Sequence, residues 1–564
     1  MCGILAVIYT GKGRYPMSKI QKGVDKIIAR GPEGTCVKEI SVPSVSSVSS
    51  VPSVCAGGAL FAFTRLAING LTDAGMQPFS SGQGGQEGQG GQGQGDTWMC
   101  NGEIYNAVSI EKQIGYVSKS SSDCEVLGPL WSTLKDPVAF CRALDGVFSL
   151  VLYDSAADMY VVARDPYGVR PLFYAEDRFY GILFGSERKA LEAVVDEIKV
   201  YEFPPGEVWS VSGAGACVKE VYHTVPWIKS QGLSGDELRA GVRSSLVSAV
   251  EKRLLTERPI AALLSGGLDS SLIAALVQSM LKARRQPPLK TFSIGMAGSS
   301  DLKHAREVAD WIGSDHHEVV VTADEMFAAI PDVIRDVESY DITTVRASVG
   351  NWLIAREVRR QSSCKVVFNG DGSDEVWGSY LYFFKAPNDY AFEADSGRLL
   401  KEMHRYDVLR SDRSISSHGL EARTPFLDKQ FVATAMGVPT VLRRPVGGDK
   451  GRIEKNLLRE AFDEGLLPGS VLWRKKEAFS DGVSSTEKSW FQEIQERVLE
   501  GGLVPADWEK QAAAFAEPRP KTPEAFYYRS LYEKFYTKTG DYWPFWMPRW
   551  SPETTDPSAR TLTL

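Results

Sequence analysis

The stretch Pro259-Ile-Ala-Ala-Leu-Leu-Ser-Gly-Gly-Leu-Asp-Ser-Ser271 decides the reading of the second half of the chain. A short apolar run ends at Ser265, and Gly266 and Gly267 let the backbone turn tightly and approach a ligand. A helix is expected from Ser270, with first amides free to receive an anion. Leu264, Ser265, Gly266, Gly267, Asp269, Ser270 and Ser271 are therefore the candidate phosphate-binding set. The serines offer hydroxyl donors, and the Asp269 carboxylate suits the Mg2+ that would accompany phosphates. The Gly-Lys-Ser/Thr of a Walker A loop is absent. An ordinary strand-to-helix turn is the plainer alternative; Gly-Gly turns are common, but this run of residues directly after a strand is not.

Outward from this loop the patterns alternate. Ser234 and Glu237 form a capping box before Leu238, Val242, Leu246, Val250 and Leu254, an apolar helical stripe. Strand signals follow at 260–264, 291–294, 318–321 and 365–369, with helical stretches at 302–312 and 323–336 between them. Such alternation predicts a parallel sheet with helices on both faces. Beyond about residue 385 the pattern is mainly helical, and the polar tail after Pro544 is read as unstructured. Toward the N-terminus the period changes. Residues 3–9, 59–65, 97–101, 147–154, 159–165 and 206–211 read as strands, and 18–29 and 123–133 as helices. This predicts an α+β layered domain over residues 2–211, a linker at 212–235, an α/β domain at 236–543 and a tail at 544–564.

Composition narrows the class. With 43% hydrophobic and 24% charged residues, the 564-residue chain has the balance of a globular protein. A net charge of −7 argues against a general nucleic-acid binder. No apolar run reaches the roughly 18 residues of a membrane span. The N-terminus lacks the basic region of a signal peptide, and the eight Cys show no C-x-x-C pair, so a reduced cytoplasmic enzyme is the expectation. Two low-complexity tracts, 41–54 and 82–95, read as loop insertions in the first domain. The second contains a formal G-x-G-x-x-G at Gly88, Gly90 and Gly93, but no strand precedes it and no helix follows, which rejects a dinucleotide loop.

Cys2 carries a second chemistry. If Met1 is removed, Cys2 gains a free α-amine, with a pKa near 8, that can act as general base for the adjacent thiol. A buried Cys in a first strand is the plain alternative.

The motifs around these two points carry a resemblance. Residues 265–271 resemble the pyrophosphate loop of the ATP pyrophosphatase superfamily. Met1-Cys-Gly-Ile4, Arg30-Gly-Pro32, Arg65-Leu-Ala-Ile68, Asn101-Gly-Glu-Ile-Tyr-Asn106, Ser122-Asp-Cys-Glu125 and Asp165-Pro-Tyr-Gly-Val-Arg-Pro-Leu172 recur in the order seen in class II glutamine amidotransferases. In the second half, Tyr340-Asp-Ile-Thr-Thr-Val-Arg-Ala-Ser348, Gly370-Asp-Gly-Ser-Asp-Glu375, Ser417-His-Gly-Leu-Glu-Ala-Arg-Thr-Pro-Phe-Leu-Asp428 and Trp473-Arg-Lys-Lys-Glu-Ala-Phe-Ser-Asp-Gly-Val483 complete the pattern. Together they resemble the glutamine-hydrolysing asparagine synthetase family over nearly the whole chain outside the two tracts and the tail.

The resemblance implies an Ntn-hydrolase-like αββα glutaminase domain and a PP-loop synthetase domain with added helices. In the first, Cys2 would attack the glutamine amide, with the Asn101 side chain and the Gly102 N–H holding the oxyanion. Arg65 would pair with the substrate carboxylate, and Asp123, with Glu103 near it, would receive its ammonium. In the second, Asp269 and Asp374 would ligate Mg2+ and Lys476 would neutralise phosphate charge. Ile294, Asn369 and Gly370 would join the ATP-binding set; Arg346 and Asp371 would meet aspartate or its activated intermediate. The implied small-molecule substrates are glutamine, aspartate and ATP, with no nucleic-acid or membrane partner. An internal route for ammonia and a tendency to dimerise are also carried over as expectations.

The chain departs from the family pattern at several positions. Where the family has Ser-Gly-Glu-Gly, this chain has Asn369-Gly-Asp-Gly372. Asp371 keeps the carboxylate on a stem one methylene shorter. Ala29 stands for a family His, Glu33 for an Asp and Thr424 for an apolar residue. Four alternatives stay open: a relative amidating another carboxylate, a β-lactam-forming relative, a regulatory homologue with a degenerate synthetase site, and a free-standing glutaminase. Retention of Cys2, Asp269, Asp374 and Lys476 weighs against the second and third.

Overall fold

Every residue of the first strand, Gly3–Tyr9 (β1), is buried, and its alternate side chains face two different layers. A computed structural model of the chain describes residues 1–41, 57–81, 95–225, 232–447, 451–477, 482–484, 488–552, 554, 556 and 557. It divides into two units, Met1–Thr224 with Tyr536–Asp541, and Val225–Phe535 with Tyr542–Leu564.

In the first unit, β1 joins β2 (Gly34–Ser41), β3 (Gly58–Arg65), β8 (Phe173–Asp177), β9 (Gly181–Gly185) and β10 (Tyr201–Glu202) in the order β10-β8-β9-β1-β3-β2. A second sheet has the order β12-β11-β7-β6-β5-β4, from β4 (Phe79–Ser80), β5 (Thr97–Ile104), β6 (Gly146–Asp154), β7 (Met159–Arg164), β11 (Glu207–Ser212) and β12 (Cys217–Val221). All pairings in both sheets are antiparallel. The sheets pack face to face: Ile4, Ala6, Ile8 and Phe63 meet Met99, Val151, Tyr160 and Val162 in one core. The residues between them in sequence, such as Leu150 and Leu152, face outward under Leu130, Trp131 and Phe140 of the helices Leu127–Leu134 and Pro137–Ala143. On the outer face of the first sheet the helices Met17–Asp25 and Arg188–Val194 pack together. The period-2 burial of both sheets thus produces four layers, αββα. Each fully buried Val, Leu, Ile or Phe contributes about 1.5–3 kcal/mol.

The second unit is built on a parallel sheet, β15-β14-β13-β16-β17. Its strands are β13 (Ile260–Leu263), β14 (Lys290–Gly295), β15 (Asp315–Val320), β16 (Val366–Phe368) and β17 (Glu421–Arg423). The capping box is formed: Ser234 Oγ accepts from the Glu237 N–H, while Glu237 Oε2 accepts from the Ser234 N–H at 2.8 Å. β13 is the point where strand order reverses, with β14 on one side and β16 on the other. In open α/β sheets a ligand crevice forms beyond the carboxyl ends of the strands at such a point.

Several expectations are corrected. The first unit runs to Thr224 rather than 211, because β12 pairs with β11 inside the expected linker. It also takes in Tyr536–Asp541, anchored by the Val200↔Thr539 bridge and the Arg188–Asp541 ion pair at 2.8 Å. The expected helix at 123–133 is a 3-10 turn, Asp123–Val126, followed by the helix Leu127–Leu134; the Asp123 carboxylate accepts from the Ile104 N–H. The tail is not loose in its described part: Trp546 and Trp550 pack on Tyr382 and Phe383, and the Trp546 N–H donates to Asp341 at 2.7 Å. Ser41 closes β2 and Gly95 precedes β5; the rest of the two low-complexity tracts, and residues 226–231 of the linker, lie outside the described residues.

Candidate active site

Cys2 immediately precedes β1, and its half-buried side chain packs against the core between the two sheets. The Leu66 N–H donates to Cys2 Sγ at 3.4 Å, and the thiol donates back to the Leu66 carbonyl at 3.5 Å. Arg30, itself ion-paired to Glu187, holds the Cys2 carbonyl at 2.9 Å. β5 carries Asn101 and Gly102 opposite Ser149 and Phe148 of β6. Asn101 is fully buried, yet neither its amide nitrogen nor its amide oxygen has a hydrogen-bond partner among the described residues. An unmet buried polar group costs about 1–3 kcal/mol, so such an amide points to a ligand. Only glycine fits at 102, since a Cβ there would come within 2.2 Å of the Val147 carbonyl oxygen.

The other residues expected for glutamine surround the end of β5 or organise a loop. Arg65 donates to the carbonyls of Thr72, at 2.8 Å, and Gly70. It thereby spends part of its donor fork on the loop after β3. Glu103 accepts from Asn69 Nδ2 at 2.9 Å, and Asp123 from the Ile104 N–H at 2.6 Å. Glu33, the substituted position, accepts from the Ala67 N–H at 2.9 Å, tying the Arg-Gly-Pro turn to the Arg65 loop.

In the second unit, a cavity of about 300 Å³ opens at the ends of β13, β14 and β16. Leu264, Ser265, Gly267, Asp269 and Ser270 line one wall, and Ile294 another. Ser265 and Ser270 share a hydroxyl contact at 3.0 Å, and the Gly267 N–H reaches Ser265 Oγ at 3.3 Å. Gly266 turns away from the cavity at φ +71°, and a Cβ there would strike His304. Ser271 is buried, and its hydroxyl has no partner among the described residues.

Opposite stand Asn369, Gly370, Asp371 and Asp374. Gly370 must be glycine, because a Cβ would come within 2.7 Å of the Ser270 nitrogen. Asn369 donates to Ser411 at 2.6 Å and its own amide oxygen accepts from the Asp371 N–H at 3.3 Å, so this departure from the family pattern is absorbed by local hydrogen bonds. Burial pushes the Asp371 carboxyl up, against the pull of Arg410, whose guanidinium is 3.9 Å away.

A cation unmarked in the sequence organises the floor. Lys455 Nζ lies 2.6 Å from both Asp269 Oδ2 and Asp374 Oδ1, and Lys476 Nζ lies 2.5 Å from Asp374 Oδ2. Burial alone would raise the Asp374 carboxyl, but Lys455 and Lys476 hold it well below the usual carboxylate range. Lys455 remains charged above its ordinary range, its burial outweighed by the two carboxylates. Nothing in the isolated Glu454-Lys455 pair signals this placement. Glu375, Tyr380 and Asp407 form a further unanticipated group: Tyr380 bonds to Glu375 and, at 2.9 Å, to Asp407. Burial and the Asp407 charge push the Glu375 carboxyl up.

Arg346 faces the cavity but is engaged by Glu524, at 2.8 Å through Nε, and by Asp556 at 3.0 and 2.7 Å. Two carboxylates of the chain itself thus fix the guanidinium at the cavity wall.

The chain matches the Asparagine synthase family over residues 241–396 and 389–556, and the Glutamine amidotransferase domain over residues 1–203. It is 43% identical over 496 residues to the glutamine-hydrolyzing asparagine synthetase of Cricetulus griseus, covering 83% of this chain and 86% of that one. The enzymes of that name from Bos taurus and Homo sapiens are 42% and 43% identical, each over 492 residues with the same shares covered. No helix among the described residues is long and apolar enough to cross a membrane. An αββα unit with Cys2 at its first strand, joined in one chain to a parallel-sheet unit with a serine-glycine loop after its switch-point strand, thus belongs to the family of glutamine-hydrolysing asparagine synthetases.

Proposed function

We propose that the two sites divide glutamine-dependent asparagine synthesis between Cys2 and the loop at residues 264–271. With Met1 removed, the Cys2 α-amine takes the thiol proton as the sulfur attacks the glutamine amide carbon. The Asn101 amide and the Gly102 N–H receive the oxyanion. The proton leaves with ammonia, and water hydrolyses the thioester to glutamate. The guanidinium of Arg65, and the carboxylates of Asp123 and Glu103, suit the α-carboxylate and α-ammonium of glutamine.

In the second unit, the loop amides and the Ser265 and Ser270 hydroxyls cradle the ATP phosphates. An oxygen of the aspartate side chain attacks the α-phosphorus, expelling pyrophosphate and forming β-aspartyl-AMP. Lys476 and Lys455 offset the charge that gathers on the leaving group. Ammonia then attacks the activated carbonyl carbon, AMP departs, and the Asp371 carboxylate accepts the surplus proton. Asp269 and Asp374 converge on one cation, Lys455 Nζ, and their hard oxygens fit Mg2+, which keeps several waters and needs only one or two carboxylates. Bound there with the nucleotide, Mg2+ would supply charge neutralisation.

The observation that carries this reading is the Asp269–Lys455–Asp374–Lys476 chain that runs from the loop along one cavity. Incubation of the protein with Mg-ATP, aspartate and glutamine should yield asparagine, AMP, pyrophosphate and glutamate in equal amounts. Formation of ADP in place of AMP would rule out adenylation.

A further inference from the structure

Lys476 lies on an irregular segment, and its neighbour Arg474 fastens that segment to two other parts of the unit. Arg474 Nη1 donates to the Gly266 carbonyl at 3.1 Å and stands 3.6 Å from Asp301 Oδ1. Its Nη2 donates to Glu477 Oε2 at 2.7 Å and to Ser300 Oγ at 3.4 Å, while the Ser300 hydroxyl also donates to Glu477 at 2.9 Å. One guanidinium thus ties together the phosphate loop, the first turn of the helix Ser300–Ile312 and the lysine-bearing segment. Gly266 can present its carbonyl this way because its backbone is left-handed.

Asp301 is held from the other side as well. It is buried, and Gly482 sits so close that a Cβ there would come within 2.4 Å of Asp301 Oδ1. The Met296 N–H donates to the Val483 carbonyl at 2.9 Å, which pins the far end of the same segment. An aspartate in a helix's first turn ordinarily complements the dipole at the surface. A buried one, facing an arginine that also grips the phosphate loop, has a more specific use.

We propose that Asp301 and Arg474 are positioning residues that lock the Lys476 segment onto the phosphate loop, so that the lysine and the loop amides meet the same phosphates. This rests on the adenylation reading of the cavity. Neither residue needs to touch substrate. Their effect reaches the chemistry through the placement of Lys476, where an error of about 1 Å can cost about 100-fold in rate.

Among the described residues, the charged groups facing Asp301 are Arg474 and Glu477. Burial, opposed by Arg474 and reinforced by Glu477, pushes its carboxyl up to about 7. The proton is retained below that value, so the charged pair with Arg474 is complete only above it.

The test compares the full-length protein with Asp301→Asn, Arg474→Lys, Arg474→Ala and the double variant Asp301→Asn/Arg474→Ala. The readouts are ATP–pyrophosphate exchange and ammonia-dependent asparagine synthesis, with glutamine hydrolysis as the control for an intact chain. We expect kcat for synthesis to fall about 10–100-fold in Asp301→Asn and Arg474→Ala, with KM for aspartate within about threefold. Arg474→Lys should retain more activity than Arg474→Ala, and the double variant should be little worse than the poorer single, as for residues acting as a unit. Wild-type synthesis should decline on acidification through pH 7, and Asp301→Asn should lose that limb. Unchanged kcat with only a lower melting temperature, additive losses, or an identical acid limb in Asp301→Asn would each overturn the clamp. A wild-type protein that makes no AMP would overturn the adenylation reading, and the clamp with it; failure of the variants alone, with wild-type AMP formation intact, counts against the clamp only.

Discussion

In the amidotransferase unit the proposed oxyanion donors are neutral: a buried Asn101 amide with no partner among the described residues and the backbone N–H of Gly102. In the synthetase unit the charged groups on and around the loop are already paired with one another, Asp269 and Asp374 with Lys455, and Asp374 with Lys476. Under the proposed function, the contrast follows from what each site must meet. A tetrahedral adduct develops one transient charge, and a neutral dipole can wait unpaired for it at about 1–3 kcal/mol. A polyphosphate carries several charges, and the cations that receive it cannot be buried alone, because an isolated buried ion costs far more than an amide. The synthetase site therefore keeps its cations and carboxylates satisfied by each other until substrate arrives.

Variants can break this comparison unit by unit. The largest effect is expected for Cys2→Ala, which should bring glutamine hydrolysis and glutamine-dependent synthesis to background while ammonia-dependent synthesis continues. A glutamate assay beside an asparagine assay decides it, and parallel loss of both nitrogen sources would refute the division of labour. Lys476→Ala should lower synthesis from either nitrogen source by about 100–1000-fold, as loss of a charge-stabilising group does, with glutamine still hydrolysed. Asn101→Ala should reduce kcat for glutamine hydrolysis by about 100-fold with a much smaller change in KM, since a transition-state donor is removed. Glutamine titrations that show a KM effect alone would make Asn101 a binding residue instead. The smallest effect is expected for Asp371→Glu, which should hold or raise ammonia-dependent synthesis, within about threefold. A large loss would show that the loop of Asn369 and Gly370 is rebuilt around the shorter side chain.

The sequence was most legible where burial follows a single period. β1, β6 and β7 are apolar runs bounded by turn residues, and their expected limits fall within a residue of the observed ones. The loop after β13 was legible because glycine and serine mark a strand-to-helix turn wherever it occurs. β17 was not legible, because Glu421-Ala-Arg423 reads as polar surface. Its charges are in fact buried and cancelled: Arg423 bonds to Glu421 at 2.6 Å and to the carbonyls of Arg253 and Leu255. Lys455 and Asp301 escaped for a related reason. Each is an ordinary charge locally and acquires meaning only from residues 81 or more positions away. Arg346 shows the converse, a motif residue that also pairs with Glu524 and Asp556, which no local pattern announces. The tail tryptophans were read as part of a polar segment because the flanking residues set its average.

The short segment Tyr536–Asp541 has a consequence for how the molecule is made. It completes the amidotransferase unit, with Val200 donating to the Lys538 carbonyl at 2.8 Å and Asp541 accepting from Arg188 and from the Glu202 N–H. The ribosome delivers it only after residues 225–535 have been synthesised, a delay of about 15–60 s at about 5–20 residues per second. Over that interval the nascent first unit has most of its two sheets but not its closing strap. A fragment ending at Thr224 stays in that unfinished state, so its hydrogen-exchange protection at Val200 and Glu202 should fall below that of the intact chain.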